Sequence, residues 1–204
     1  MPHIRPLTRA DIPGLTSINQ TFTSDAELHL ERRCVGLEEI AWRLTCRPLK
    51  QPFDRGTQYD LRQDELTAIE GRLQAGNCLQ LVAADEDRIV GLLEVEAGSW
   101  RDAGWIWNVL IDVQYRRRGL GRHFIASSVE WARGRGLKAL VAETQTNNVP
   151  ACRFYQRMGF VPSGVDDHFY RYCGDPRAAQ DVAIFWYLEG GSASQPDDSG
   201  PADA

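Results

Sequence analysis

No stretch of this 204-residue chain comes near the roughly 18 to 20 consecutive apolar residues that cross a bilayer, so a membrane-spanning helix is not expected. Its first residues, Met1-Pro2-His3-Ile4-Arg5-Pro6, offer no apolar h-region, and nothing there reads as a signal for export. The five cysteines (Cys34, Cys46, Cys78, Cys152, Cys173) form no CxxC, and no Cys/His spacing would hold zinc. No metal site is therefore expected, and reduced thiols in a cytoplasm are the default reading. Internal repeats are absent. His3, His29, His123 and His168 are scattered, so no Ser/His/Asp constellation is legible.

What is present describes a globular chain: 43% apolar and 25% charged residues can build a sizeable core and exclude disorder or a disulfide scaffold as the class. The length suits one domain, expected over 1–189, with 190–204 as a disordered Gly/Ser/Pro/Asp tail. That tail holds Asp197, Asp198 and Asp203, so the net charge of −5 falls to −2 for the rest. Between Arg116 and Lys138, by contrast, seven basic residues face one acid, Glu130. One local basic concentration on a weakly acidic protein points to a discrete anionic ligand, with neither nucleic acid nor membrane as partner.

Along the chain, a strand over His3 to Leu7 precedes a helix with Thr8 as N-cap and Ile12, Leu15, Ile18 and Phe22 on one face. Ala26, Leu28 and Leu30 alternate as in a half-buried strand. Leu37 to Cys46 fits helix or strand, Pro48, Pro52 and Gly56 suggest a loop, and Leu61, Leu66, Ile69 and Leu73 a helix closed by Gly76. Cys78–Ala84, Ile89–Val95 and Trp105–Val113 read as an antiparallel meander. A helix carrying Leu120, Phe124, Ile125, Val129 and Ala132 follows, then a strand at Ala139–Glu143, a helix capped by Asn148 and stopped by Gly159, and final strands at Phe169–Tyr172 and Val182–Leu188.

The stretch richest in chemistry is Val109 to Arg122. An apolar strand enters a turn with glycines two apart, and that turn opens a helix, so several backbone N–H groups converge at the positive end of a helix dipole. Such a nest suits phosphate oxygens. The spacing is neither GxGxxG nor a P-loop. Taken alone, the glycines could equally make a tight turn beside solvated arginines.

A second segment adds weight. R-x-x-G-x-G at Arg116, Gly119 and Gly121 is followed, after a helix and a strand, by N-x-x-A-x-x-F-Y-x-x-x-G-F at Asn148, Ala151, Phe154, Tyr155, Gly159 and Phe160. Together these resemble the two acyl-CoA-binding motifs of the GNAT superfamily of N-acetyltransferases, over roughly Leu79 to Phe160. Glu143 to Cys152, Ser99-Trp100 and Val90-Gly91 through Glu94 are similar to the same stretches in streptothricin acetyltransferases.

The resemblance implies an α/β (α+β) fold: a mixed, mostly antiparallel sheet of six to seven strands with helices on both faces, splayed where acyl-CoA binds. It implies acetyl-CoA as co-substrate, its pyrophosphate held by the N–H groups of Arg117, Arg118, Gly119, Leu120, Gly121 and Arg122 beside Arg116. The pantetheine would pair with Leu110, Ile111, Asp112 and Val113 and meet Asn148, Ala151 and Phe154. Tyr155 matches the family's general acid, which protonates the departing thiolate. Many relatives carry a glutamate where Trp107 stands, so the base is open: Glu94 is the first candidate, as base or substrate anchor, and Glu96 and Asp102 are weaker ones. An ammonium of pKa about 10 must lose a proton before it attacks, which is why a carboxylate is wanted.

Cys152 at a helix N-terminus offers a covalent route, and direct transfer in a ternary complex is favoured over it. Trp100, Trp105 and Trp107 with Asp166 and Asp167 would suit a cationic amine, Trp107 and Asp166 being the chosen substrate contacts; they fit core and turn positions equally well. The small-molecule acetyltransferase reading stands beside two others, a protein N-terminal or lysine acetyltransferase and a non-catalytic acyl-CoA-binding module. Exposed C-terminal strands would offer an edge for a homodimer.

Overall fold

The computed structural model describes residues 2–56, 60–99, 101–172 and 180–190. Trp100, Cys173 and the tail from 191 onward lie outside them. Seven strands form one sheet in the order β1-β4-β5-β6-β7-β9-β8, where β1 is His3–Pro6, β4 Cys78–Asp85, β5 Arg88–Ala97, β6 Ala103–Ile111, β7 Ala139–Gln145, β8 Val161–Asp166 and β9 Ala183–Glu189. All neighbours are antiparallel except β6 and β7. A separate hairpin pairs β2 (Thr23–Val35) with β3 (Glu39–Asp54).

Strand alternation sends apolar residues to both faces, so the sheet must be covered twice. On one face Val82, Ala84 and Leu92 pack with Leu7, Ile12 and Leu15 and with Leu66 and Ile69 of helix α1 (Gln63–Ala75). On the other, Ala83, Leu93 and Val95 pack with Phe124 and Ile125 of α2 (Leu120–Gly134) and with Cys152 and Tyr155 of α3 (Val149–Arg157). The expected mixed sheet with helices on both faces is what the chain forms. Gly76, in the left-handed region at φ 70°, closes α1 where the sequence placed its end.

Three local expectations are corrected. The first helix is a 3-10 segment, Arg9–Ser17, because Pro13 lies inside it and supplies no N–H; Phe22 falls beyond its end. The Pro48/Pro52 loop is instead the end of β3, and the ambiguous stretch before it belongs to the same strand from Glu39 onward. Having β2 alone as partner, β3 leaves one edge where a missing donor costs no ladder bond. The strand expected at Phe169–Tyr172 is a turn. Its place at the sheet edge goes to Val161–Asp166, whose Pro162, Ser163 and Gly164 disguise it; a register shift between Pro162 and Gly164 absorbs the irregularity.

At the C-terminal end of β6, Asp112 is fully buried and ties three segments together. Its carboxylate accepts the backbone N–H groups of Asn19 (3.1 Å) and Gln114 (3.0 Å) and pairs with Arg88. Removing it would leave Arg88 and two N–H groups without their acceptor. Asp112→Ala is expected to lower stability by about 2 to 3 kcal/mol, below the usual cost of breaking a fully buried pair because Arg88 is half-exposed. Urea unfolding followed by circular dichroism reads it, and an unchanged midpoint would contradict the assignment.

Candidate active site

Strands β6 and β7 are paired only at Ala103, Gly104 and Trp105 against Ala139, Leu140 and Val141. Beyond that they part. The register of β6 against β5 also slips there, from Glu94 opposite Asn108 to Val95 opposite Ile106, which leaves Trp107 as the extra residue of a bulge. A bulge sharpens strand twist and re-aims side chains, and here it sits where the sheet opens. The resulting cleft, about 250 Å³, is lined by Ile106 to Leu110 on one side and Glu143 to Gln145 on the other. Asn148, Ala151, Phe154 and Tyr155 line it from α3, and Gln20, Phe22, Arg55, Leu61 and Glu65 complete the wall.

The basic turn adjoins this cleft. Arg117 has φ 62° and Gly119 φ 88°, so the chain reverses sharply before α2 starts at Leu120 with no side-chain cap. Among the described residues no acceptor meets the backbone N–H groups of Arg117 to Arg122, and the first bond back to the turn is His123 N–H to the Gly119 carbonyl. These are the donors an anion would satisfy. A Cβ on Gly121 would lie 2.8 Å from Phe154 Cε2 and 3.4 Å from Ile111 Cδ1, so this glycine lets the helix start approach the α3 residues that line the cleft.

The arginines of the turn divide. Arg116 donates to the carbonyls of Ile111 (3.0 Å) and Thr21 (2.7 Å), and burial lowers its pKa; it fastens the turn to the N-terminal segment. Arg118 lies over the Tyr115 ring at 5.1 Å, and Arg117 and Arg122 are exposed. Of the strand residues expected to meet the pantetheine, Leu110 lines the cleft, whereas the Asp112 side chain is turned inward to its anchoring role. Val113 is exposed in a 3-10 turn.

Tyr155 is buried against Phe154, Phe160 and Trp186, with ring centroids 5.2, 5.1 and 6.5 Å away. Its hydroxyl makes no hydrogen bond to any described residue. Burial raises its pKa far above the ordinary value, with the Glu143 charge adding to the effect, so it holds its proton. Asn148 caps α3 by accepting from Ala151 N–H at 3.1 Å and also lines the cleft. The Cys152 thiol contacts Thr144 Oγ1 at 3.3 Å, and burial pushes its pKa up to about 11.

Glu94 is fully buried. Its carboxylate accepts from Arg72 Nε and Nη2 (both 3.1 Å), Gln80 Nε2 (2.7 Å) and Asn108 Nδ2 (2.6 Å). Both oxygens are taken, so the geometry suits an anchor that fixes Asn108 in the cleft wall. Arg72 also lies over Trp107 at 5.1 Å. Trp107 is half-exposed, lines the cleft and donates to Glu96 at 2.8 Å. Asp166 stands apart from the cleft lining, at the end of β8, where it accepts His168 N–H at 2.8 Å.

Sequence reasoning assigned no role to Glu143. Its position opposite Phe185 on β9 puts the two on one face of the sheet, and alternation along β7 was the available signal. Phe22 read as part of the apolar face of the first helix, and Arg55, with it at the base of the hairpin, carried no local signal.

A model of the acetyltransferase (GNAT) family matches residues 38–160. The chain belongs to this family. GNAT members are acetyl-CoA-dependent N-acetyltransferases, and so is this chain. It is 30% identical to the streptothricin acetyltransferase of Escherichia coli over 173 residues, which cover 83% of this chain and 91% of that relative. Streptothricin acetyltransferase A of Bacillus subtilis (strain 168) is 26% identical, over 78% and 86% of the two chains. A Bacillus anthracis protein assigned as a streptothricin acetyltransferase, solved with acetyl coenzyme A, superposes with a TM-score of 0.72 at 26% identity, covering 93% of this chain and 99% of its own.

The Gly121 contact makes a prediction for this GNAT fold. Gly121→Ala must displace Phe154, an overpacking that costs about 1 to 3 kcal/mol of stability. Because the same shift moves the helix start, acetyl-CoA affinity should fall about tenfold or more by calorimetry. Unaltered affinity in a folded variant would separate the close packing from the cofactor site.

Proposed function

We propose that this enzyme transfers the acetyl group of acetyl-CoA to a primary amine of a small cationic molecule of the streptothricin class, by direct attack in a ternary complex. Such a reaction would serve antibiotic resistance in the cytoplasm. The observation that carries the reading is one juxtaposition: an N–H nest without acceptors among the described residues, a gap in the sheet beside it, and Tyr155, which holds its proton, among the residues that line that gap.

In this reading the N–H groups of Arg117 to Arg122 take the pyrophosphate oxygens, with Arg117, Arg118 and Arg122 supplying positive charge. Beyond Trp105 the edge of β6 that faces β7 has no strand partner among the described residues, so alternate N–H and C=O groups face the gap and suit an extended amide-bearing arm. Asn148 holds that arm from α3. Tyr155 donates its proton to the sulfur as the C–S bond breaks. Glu94 holds Asn108, and through Arg72 braces Trp107, so its part is to keep the wall in place. The thiol of Cys152 at about 11 carries almost no thiolate at neutral pH, which favours direct transfer over an acetyl-cysteine.

The acceptor would enter where Phe22, Arg55, Trp107 and two carboxylates, Glu65 and Glu143, surround the cleft. Aromatic faces with carboxylates favour a cation. A cleft of about 250 Å³ favours a small molecule over a peptide. Among the described residues β8 has β9 alone as a strand partner, and its other edge would suit pairing between two copies.

Tyr155→Phe should lower kcat by about a hundredfold while acetyl-CoA affinity changes less than about threefold, since only the proton donor is lost. Release of free thiol from acetyl-CoA, with streptothricin, spermidine and a lysine peptide as acceptors, reads the first and calorimetry the second. Equal loss of both, or of neither, would remove the acid role; no heat from acetyl-CoA with the unaltered protein would remove the whole reading.

A further inference from the structure

Two carboxylates stand near the parting of β6 and β7, and their surroundings differ in kind. Glu94 has all its lone pairs committed. Glu143 has one oxygen held: Oε2 accepts the Tyr170 hydroxyl at 2.6 Å, and that hydroxyl in turn accepts from Gln145 Nε2 at 2.6 Å. The other oxygen, Oε1, is buried and has no hydrogen-bond partner among the described residues. A buried acceptor without a donor is costly, and such a group awaits either a proton or a cation.

A row of aromatic rings leads to it. Trp107 and Trp105 lie 5.8 Å apart, Trp105 and Phe185 6.0 Å, Phe185 and Phe169 5.6 Å, and Phe169 and Tyr170 5.1 Å. Phe185 pairs across the ladder with Glu143, and Trp105 with Val141 two residues before it, so the row and the carboxylate share one face of the sheet. Trp107 at 49% and Phe169 at 47% exposure leave the row open to a ligand. Tyr155, from α3 on the opposite face, lines the same cleft as Glu143.

We infer that Glu143 is the group that receives the acceptor's ammonium at the end of this aromatic row and removes its proton, with Tyr170 and Gln145 positioning the carboxylate. The inference rests on the acetyltransferase reading above. One proton passes from the ammonium to Glu143, and the neutral amine adds to the thioester carbon. As the C–S bond breaks, the sulfur takes the proton of Tyr155, and Tyr155 recovers one from the nitrogen as it becomes an amide. The proton on Glu143 then leaves to solvent.

The environment suits a base that works near neutrality. Burial raises the pKa of Glu143 to about 7, against the lowering effect of the Tyr170 hydrogen bond and with a further upward push from Asp181. Tyr155 and Cys152, on α3 across the sheet, are neutral groups at that pH, and Arg55 and Glu65 line the cleft with it. A base must be deprotonated to act, so activity belongs above the pKa and is lost as pH falls through about 7.

The test is the pH profile of kcat/KM with acetyl-CoA and streptothricin for the unaltered enzyme, Glu143→Gln and Tyr170→Phe, beside calorimetry with acetyl-CoA. The unaltered enzyme should show an acid limb centred near pH 7. Glu143→Gln should lose about a hundredfold or more in kcat/KM at pH 8, keep its acetyl-CoA affinity within about threefold, and lose the limb, its residual rate following the amine's own ionisation. Tyr170→Phe removes a bond that stabilises the carboxylate, so its limb should move to higher pH; a merely structural tyrosine would leave the limb in place. A folded Glu143→Gln enzyme with undiminished rate, or with lost acetyl-CoA binding, overturns the inference. If that variant fails to fold, an unmoved limb in Tyr170→Phe overturns it instead. Failure of the unaltered enzyme to bind acetyl-CoA would strike the underlying reading and not the choice of base.

Discussion

The site depends on a sheet that stops being a sheet. Three residue pairs hold β6 to β7, and past Trp105 and Val141 the strands separate, with the bulge at Trp107 turning β6 away. A parting of this kind exposes backbone donors and acceptors that a continuous sheet would consume, and an exposed edge in the middle of a sheet is unstable unless something fills or braces it. In the proposed reading the filling is the co-substrate's extended arm. The bracing comes from both sides: α3 packs Tyr155 on Trp186 of β9, and Glu94 binds β4, β5, β6 and α1 through Gln80, Asn108 and Arg72.

Charge is spent differently on the two sides of that opening. Where the co-substrate's anionic end is expected, the fold supplies free N–H groups and exposed arginines, while the one arginine that could compete, Arg116, is turned back onto the carbonyls of Ile111 and Thr21. Where the acceptor is expected, the walls are aromatic with carboxylates set among them. The same basic run that suggested an anion in the sequence is therefore partly structural, and only backbone geometry separates the residues that hold the turn from those that can hold a phosphate.

Much of this was legible without coordinates because it is local. The meander, the two helices after it, the left-handed glycines and the Asn148 cap all follow from patterns within about fifteen residues, and the paired motifs fixed the family. What failed was long-range or depended on an edge. Pro48 and Pro52 read as breakers because the sequence does not say that their strand has one partner, and Pro13 turned an expected helix into a 3-10 segment. Phe22 and Arg55 reach the cleft from a hairpin whose placement no periodicity encodes. Asp166, expected as a substrate contact, is outside the cleft lining and accepts His168 N–H within its own turn.

The choice between Glu94 and Glu143 shows why residue type and strand position were insufficient. Each is a glutamate on a central strand within a stretch shared with streptothricin acetyltransferases, and the sequence favoured the first. A carboxylate that accepts four hydrogen bonds, two of them from a guanidinium, has both oxygens committed to the wall it braces and none turned to a ligand. One that is buried with a single donor is poised between charge and proton, and a cation arriving beside it satisfies the vacant oxygen at the moment the proton must move. Donor count separates the two acids, and it is a property of the folded neighbourhood, set by Arg72, Gln80 and Asn108 around one glutamate and, among the described residues, by Tyr170 at the other.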